Sequence, residues 1–121
     1  MFTETQTERL KYLARELRSG KYPECAGQLR RGERFCAIGV ACDILVNETD
    51  KGLCWEGDEA GKRLAHADER HGAADWSKQV GGYFGLSTNE ALSIADANDH
   101  GASAGMRHEA AARVIDALVD S

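Results

Sequence analysis

The chain has 121 residues, room for one hydrophobic core and little for two domains. With 42% hydrophobic and 29% charged residues it is neither disordered nor fibrous, and no apolar run approaches the roughly 18 residues of a membrane span. The net charge of −5 is split, residues 9–34 carrying eight Lys/Arg against three Glu and residues 35–121 seven against fifteen Asp/Glu; the overall acidity argues against direct nucleic-acid binding.

A first helix is predicted over residues 5–19. Thr5 and Glu8 have capping-box spacing, and Leu10, Leu13, Ala14 and Leu17 recur as one amphipathic stripe. Gly20 is placed to stop the helix, and Pro23 bars its continuation. Residues 20–34 read as a connection, with a short extended piece around Gly27, Gln28 and Leu29 and a turn at Gly32.

Phe35 to Val46 is the most hydrophobic stretch, with no charge before Asp43. It is apolar almost all round, the pattern of a buried helix. A buried strand is the rival reading, against which Ala37, Ala41, Leu45 and the length count. Gly39 would weaken an isolated helix by about 1 kcal/mol relative to Ala, and close packing against a neighbouring helix would explain it.

Residues 47–75 are polar and charge-rich, with Leu53, Trp55 and Leu64 as their large apolar side chains. Asp58 to Arg70 reads as a solvated helix, and the whole stretch equally as a mobile excursion pinned to the core by Trp55. Trp76, Val80, Tyr83, Phe84 and Leu86 then supply aromatic core on a short helix or turn interrupted by Gly81 and Gly82. Ser87 and Glu90 make a second capping box, opening a helix to about Ala97 that buries Leu92 with Ala95 or Ile94. Asn98 to Gly101 is a turn by composition. A last helix runs from about Gly105 to Val119, with Met106, Ala110, Ala111, Val114 and Leu118 inward and Glu109 paired with Arg113 outside.

These elements predict a mainly α, single-domain helical bundle around a central apolar helix at 35–46. A short extended or hairpin segment fits beside it, as does a charged excursion at 47–75. The N-terminus lacks the basic start and apolar stretch of a secretion signal, so a cytoplasmic protein with no membrane partner is expected.

The four cysteines are Cys25, Cys36, Cys42 and Cys54. Their even number leaves two disulfides formally open, a cytosolic setting favours free thiols, and no Cys-x-x-Cys spacing occurs. Cys36 is the candidate nucleophile, because it opens a predicted helix whose dipole would lower a thiol pKa. His66, His71, His100 or His108 would be its base, and Asp43 or Asp99 the orienting carboxylate. The opposing reading is a buried packing thiol.

For a metal, Cys36 and Cys42 point about 120° apart on a helix, and His66 and His71 are five apart rather than the four that share a face. Only a site assembled from distant segments remains, and no cofactor is expected. Asp96 to Gly101 starts like an EF-hand loop, but Arg107 stands where the bidentate Glu belongs. An Asx-type turn accounts for it better. A helix-turn-helix over residues 88–119 would have too long a connection and an insufficiently basic second helix, with Glu109, Asp116 and Asp120 against Arg107 and Arg113. Acidic mimicry of nucleic acid would need a denser row of carboxylates, so a solvated surface reads better. The charge split has two readings: the basic and acidic parts attract each other across the fold, or Arg30, Arg31 and Arg34 form an anion-binding patch.

Two blocks are similar to a known family. Gly20-Lys21-Tyr22 through Gly27-Gln28-Leu29-Arg30, then Arg34 to Asp43, resembles small uncharacterised bacteriophage and prophage proteins that read "GKYxQxxGxLR … FCCLGVLCDL". Phe84-Gly85-Leu86-Ser87 and Asn98-Asp99-x-Gly101 resemble the same family's "GL … LNDxG" close. Glu24 stands where that family usually has Gln, Ala37 replaces its second Cys, and segment 102–106 lacks its usual Ser/Thr-Phe. The resemblance implies a mobile-element origin rather than a mechanism.

The functional expectation is therefore a non-enzymatic phage or prophage accessory protein that binds a host protein or ribonucleoprotein, including one of a defence system such as CRISPR. Its binding surface is sought at Lys21, Tyr22, Gln28, Arg30, Arg31, Arg34, Asn98 and Asp99. The alternatives are a small thiol-dependent enzyme using Cys36 and a metal-binding module.

Overall fold

The computed structural model describes residues 2–68 and 72–121. The mainly helical bundle is corrected by it: the fold is mixed, with five helices and a four-stranded antiparallel sheet among the described residues. The helices are α1 (Glu4–Arg18), α2 (Ala37–Glu48), α3 (Trp76–Phe84), α4 (Thr88–Asp99) and α5 (Arg107–Asp120). The strands are β1 (Arg30–Arg31), β2 (Arg34–Phe35), β3 (Leu53–Asp58) and β4 (Gly61–His66), in the order β2-β1-β4-β3.

Helix α1 buries the expected stripe of Leu10, Leu13, Ala14 and Leu17. Its capping box is made by Thr3 and Gln6, two residues ahead of the equally spaced Thr5 and Glu8. Helix α2 is the centre of the core, buried on every side from Ala37 to Leu45, and it contacts all four other helices. It begins two residues later than the hydrophobic run. Phe35 belongs to β2, and Cys36 caps the helix, its sulfur accepting the Gly39 N–H at 3.3 Å. Gly39 does pack closely, but against a loop: a Cβ there would collide with the Leu29 carbonyl.

The helix expected over Asp58 to Arg70 is corrected as well. Residues 53–66 form a hairpin with a two-residue loop, Leu53 opposite His66 and Asp58 opposite Gly61. Arg70 lies outside the described residues. The alternation of the hairpin places Leu53, Trp55 and Leu64 on the core face. Gly81 and Gly82 do not interrupt α3, which runs through both to a left-handed Gly85. The second capping box, at Ser87 and Glu90, is present. Helix α4 continues through Asn98 and Asp99, so the turn starts at His100, and it buries Ala91, Ile94 and Asn98 while Leu92 is exposed. Met106 is also exposed and precedes α5 rather than lining it.

Helix α5 packs chiefly against α1 and α4. Arg18 of α1 bridges Glu109 and Asp116 of α5, both at 2.8 Å. In that contact the basic segment and the acidic half of the chain do attract each other, at a half-exposed site where such pairs contribute modestly. The Glu109–Arg113 pair is present at 3.4 Å.

Candidate functional site

The segment between α1 and α2 has an inner and an outer side, and the eight surface candidates divide between them. Tyr22 is buried on the inner side and donates its hydroxyl to Asp43 Oδ2 at 2.9 Å. Trp55 Nε1 donates to Asp43 Oδ1 at 3.0 Å, so the buried carboxylate joins the loop, α2 and the hairpin. Burial, together with the hydrogen bond to that carboxylate, raises the Tyr22 pKa and keeps its proton in place. The rings of Tyr22, Phe35 and Trp55 meet edge to face.

Arg30 belongs to this inner side. Its Cα is opposite Phe35 and Lys62, on the core face of the sheet. The guanidinium lies over Phe35 at 4.8 Å and donates to Gly32 O and Glu33, so it is committed to the fold. Lys21 is exposed, over the Tyr22 ring and 3.6 Å from Glu16.

A second set of contacts latches the segment to α4 and α5. Asn98 is fully buried; its Oδ1 accepts the Ala37 N–H at 3.1 Å and its Nδ2 donates to Cys25 O and to Asp99 Oδ1. Asp99 Oδ1 also accepts the Gly27 N–H at 3.2 Å. Glu24 caps α5 from a distance, its carboxylate accepting the N–H groups of Gly105, Arg107 and His108. Met106, the N-cap residue, makes no side-chain cap. Burial alone would raise the Glu24 pKa, but the three backbone donors outweigh it and hold the carboxyl below its ordinary value. Arg107 donates to the carbonyls of Asn98 and Asp99 at the end of α4, where the helix dipole favours a cation. His108 is buried and donates Nε2–H to Phe35 O at 2.8 Å. In the sequence His108 is only one of four candidate bases and Glu24 only a departure from the family pattern, because nothing local ties residue 24 to a helix that starts at Arg107.

The outer side is where charge is left over. Arg31 and Arg34 are exposed, and their Cα atoms face each other across the two-residue ribbon, so both side chains leave the same face of the sheet. Like charges directly opposite on a sheet destabilise it by a few tenths of a kcal/mol or more. Neither residue makes an ion pair among the described residues. Arg31, Arg34 and Arg107 all lie within electrostatic reach of the Cys25 thiol, as does Asp99. Burial and Asp99 raise that thiol's pKa against the pull of the three arginines. Gln28, also exposed, lies with its carboxamide against Gly61. The predicted trio of arginines is thus divided: Arg30 turns inward, while Arg31 and Arg34 form the surface with Arg107 nearby.

The Cys36 thiol is buried at the N-cap of α2. Burial pushes it up to about 12 despite the Gly39 N–H donated to it, so it is protonated at neutral pH. His108, one of the predicted bases, donates to the carbonyl of Phe35, the residue before Cys36. Cys42 is more deeply buried, and all four cysteines are free thiols. Among the described residues no group of three His, Cys, Asp or Glu side chains converges as metal ligands. His71 lies outside the described residues. Among the described residues, too, no helix is long and apolar enough to cross a membrane.

Residues 6–79 match a family described as a domain of unknown function, DUF8296, and the chain belongs to that family. The match begins inside α1, takes in the latch segment, the arginine ribbon, α2 and the hairpin, and stops inside α3. No curated protein and no solved structure matches the chain.

Proposed function

We propose that this member of the family is a non-enzymatic module that binds another macromolecule through the outer face of its β1–β2 ribbon. The observation that carries the reading is the pairing of Arg31 with Arg34, opposed across the ribbon, exposed and without a carboxylate partner among the described residues. An anionic surface docking there would relieve their repulsion and be steered to it electrostatically. The buried Asp43 carboxylate and Asn98 tie the chain around the ribbon from behind, contacts that favour a surface formed before any partner arrives.

The resemblance of the Gly20–Asp43 block to phage and prophage proteins supports a narrower version. In it the chain is a phage or prophage accessory protein that works in the host-cell cytoplasm. It occupies a surface of a host protein or ribonucleoprotein, with a defence system such as CRISPR as the target class.

Affinity capture from lysates of several bacterial hosts at low salt tests this, with wild type beside the Arg31→Glu/Arg34→Glu double variant. A stoichiometric partner retained by wild type and lost by the variant is expected. Identical capture profiles for the two proteins would refute the ribbon as the binding surface.

A further inference from the structure

Beside the arginine ribbon lies an apolar cleft of about 280 Å³ that the reading above does not use. Leu29, Ile38, Trp76, Leu92 and Ala95 line it, with Asp99 at its edge. Leu92 is 48% exposed, one of two large hydrophobic side chains left so open among the described residues. The cleft and the ribbon share one piece of chain. Residues 27–29 form a wall of the cleft and run directly into Arg30 and Arg31. Asp99 lines the cleft and accepts the N–H of Gly27, at the start of that shared piece of chain, at 3.2 Å.

We propose that cleft and ribbon together receive one segment of a protein partner: a large apolar side chain in the cleft, flanked on one side by carboxylates that meet Arg31 and Arg34. The proposal rests on the ribbon being the binding surface and names what that surface takes. Three features favour an acidic polypeptide over a nucleic acid, although guanidinium forks accept carboxylate and phosphate alike. The basic patch is short. Glu33 in the ribbon turn and Asp99 at the cleft border it, so a polyanion extending past the two arginines meets like charge. The net charge of −5 repels a long phosphate backbone at a distance. The apolar cleft, finally, offers an anchor site for a side chain, the feature on which peptide recognition depends.

The test is selection of a random dodecapeptide library on the immobilised full chain, with the enriched peptides resynthesised, fluorescein-labelled and titrated. Random-sequence single-stranded RNA is titrated in parallel. The expected consensus is one Leu, Phe, Trp or Met next to two or more Asp/Glu. Arg31→Gln/Arg34→Gln should weaken those peptides by about tenfold or more through loss of two charge-assisted contacts. Leu92→Ser should remove the preference for the apolar residue while leaving acidic peptides bound. All altered side chains are exposed, and a circular dichroism melt matching wild type confirms each variant's fold. A consensus without acidic residues, or one without an apolar anchor, overturns the inference. Tighter binding of the RNA, dependent on Arg31 and Arg34, overturns the partner class while leaving the ribbon reading intact. Binding of nothing, or binding indifferent to both arginines, overturns both.

Discussion

Replacing Glu24 tests whether charge fastens the 20–29 segment to α5. The carboxylate accepts three N–H groups, from Gly105 at 2.9 Å, Arg107 at 3.2 Å and His108 at 3.1 Å, and Met106 offers no cap of its own. Losing a helix N-terminal cap costs about 1 kcal/mol. A negative charge at a partly buried N-terminus adds about 0.5–1 kcal/mol. Glu24→Ala should therefore lose about 1.5–2 kcal/mol, close to 6–8 °C in Tm for a domain of this size. Glu24→Gln keeps one carbonyl oxygen but turns an NH2 group toward the remaining donor, so about 1 kcal/mol is expected.

The pH dependence separates charge from shape. The Glu24 pKa is lowered in the fold from an ordinary value of 4.5. A depressed folded-state pKa gives stabilisation that is complete above the unfolded value and lost as pH falls through the folded value. The gap between wild type and Glu24→Gln should therefore hold at neutral pH and close in acid, where a protonated carboxyl behaves much as the amide does. Thermal melts by circular dichroism, at neutral pH and down an acid series, measure both quantities. Should Glu24→Ala melt with wild type at neutral pH, or the Gln gap stay as wide in acid, the latch does not act through charge.

Asn98→Ala should cost about 2–4 kcal/mol in urea unfolding, because it strands the Ala37 N–H and the Cys25 carbonyl in a buried site. Gly39→Ala should cost about 1–3 kcal/mol by the same measurement, since a methyl there must displace the Leu29 backbone; a neutral result would show that the 27–29 loop is free to move. Asp43→Ala should leave the Tyr22 hydroxyl and the Trp55 indole N–H without their acceptor, lowering stability by about 2 kcal/mol and changing tryptophan emission. Iodoacetamide should modify Cys36 more slowly in the folded chain than in urea at neutral pH, because burial raises its pKa; faster labelling in the folded state would revive a nucleophilic role.

How much of this was legible in the sequence depends on whether the deciding contact is local. The stripe of α1, the apolar α2 and the Ser87–Glu90 box are set by neighbours three or four residues apart, and all are present. The shift from Thr5 to Thr3 at the start of α1 reflects two overlapping boxes of the same spacing. The hairpin was hidden because Lys62, Arg63, Leu64 and Ala65 favour helix locally, while what makes them strand is pairing across the sheet, in which Trp55 meets Leu64 and Glu56 meets Arg63. Strands of two residues, such as β1 and β2, carry no periodicity to read at all.

The same distinction explains the fate of the candidate site. Arg30, Arg31 and Arg34 are equivalent in composition, and only the parity of a strand separates them. Arg30 falls on the face of Phe35 and becomes part of the core, while Arg31 falls on the other face opposite Arg34. A one-residue slip of β1 would exchange their roles. The register is held by side chains far away in sequence, with Asn98 fixing the start of α2, Asp43 fixing Tyr22 and Trp55, and His108 holding the Phe35 carbonyl. Asn98 and Asp99, expected on the binding surface with the arginines, stand in the structure as contacts that fasten the 25–37 segment from behind. The latch residues should control whether the arginine face exists, and Arg31 and Arg34 should control what binds to it. A variant of the first kind should lose stability and binding together, and one of the second kind binding alone.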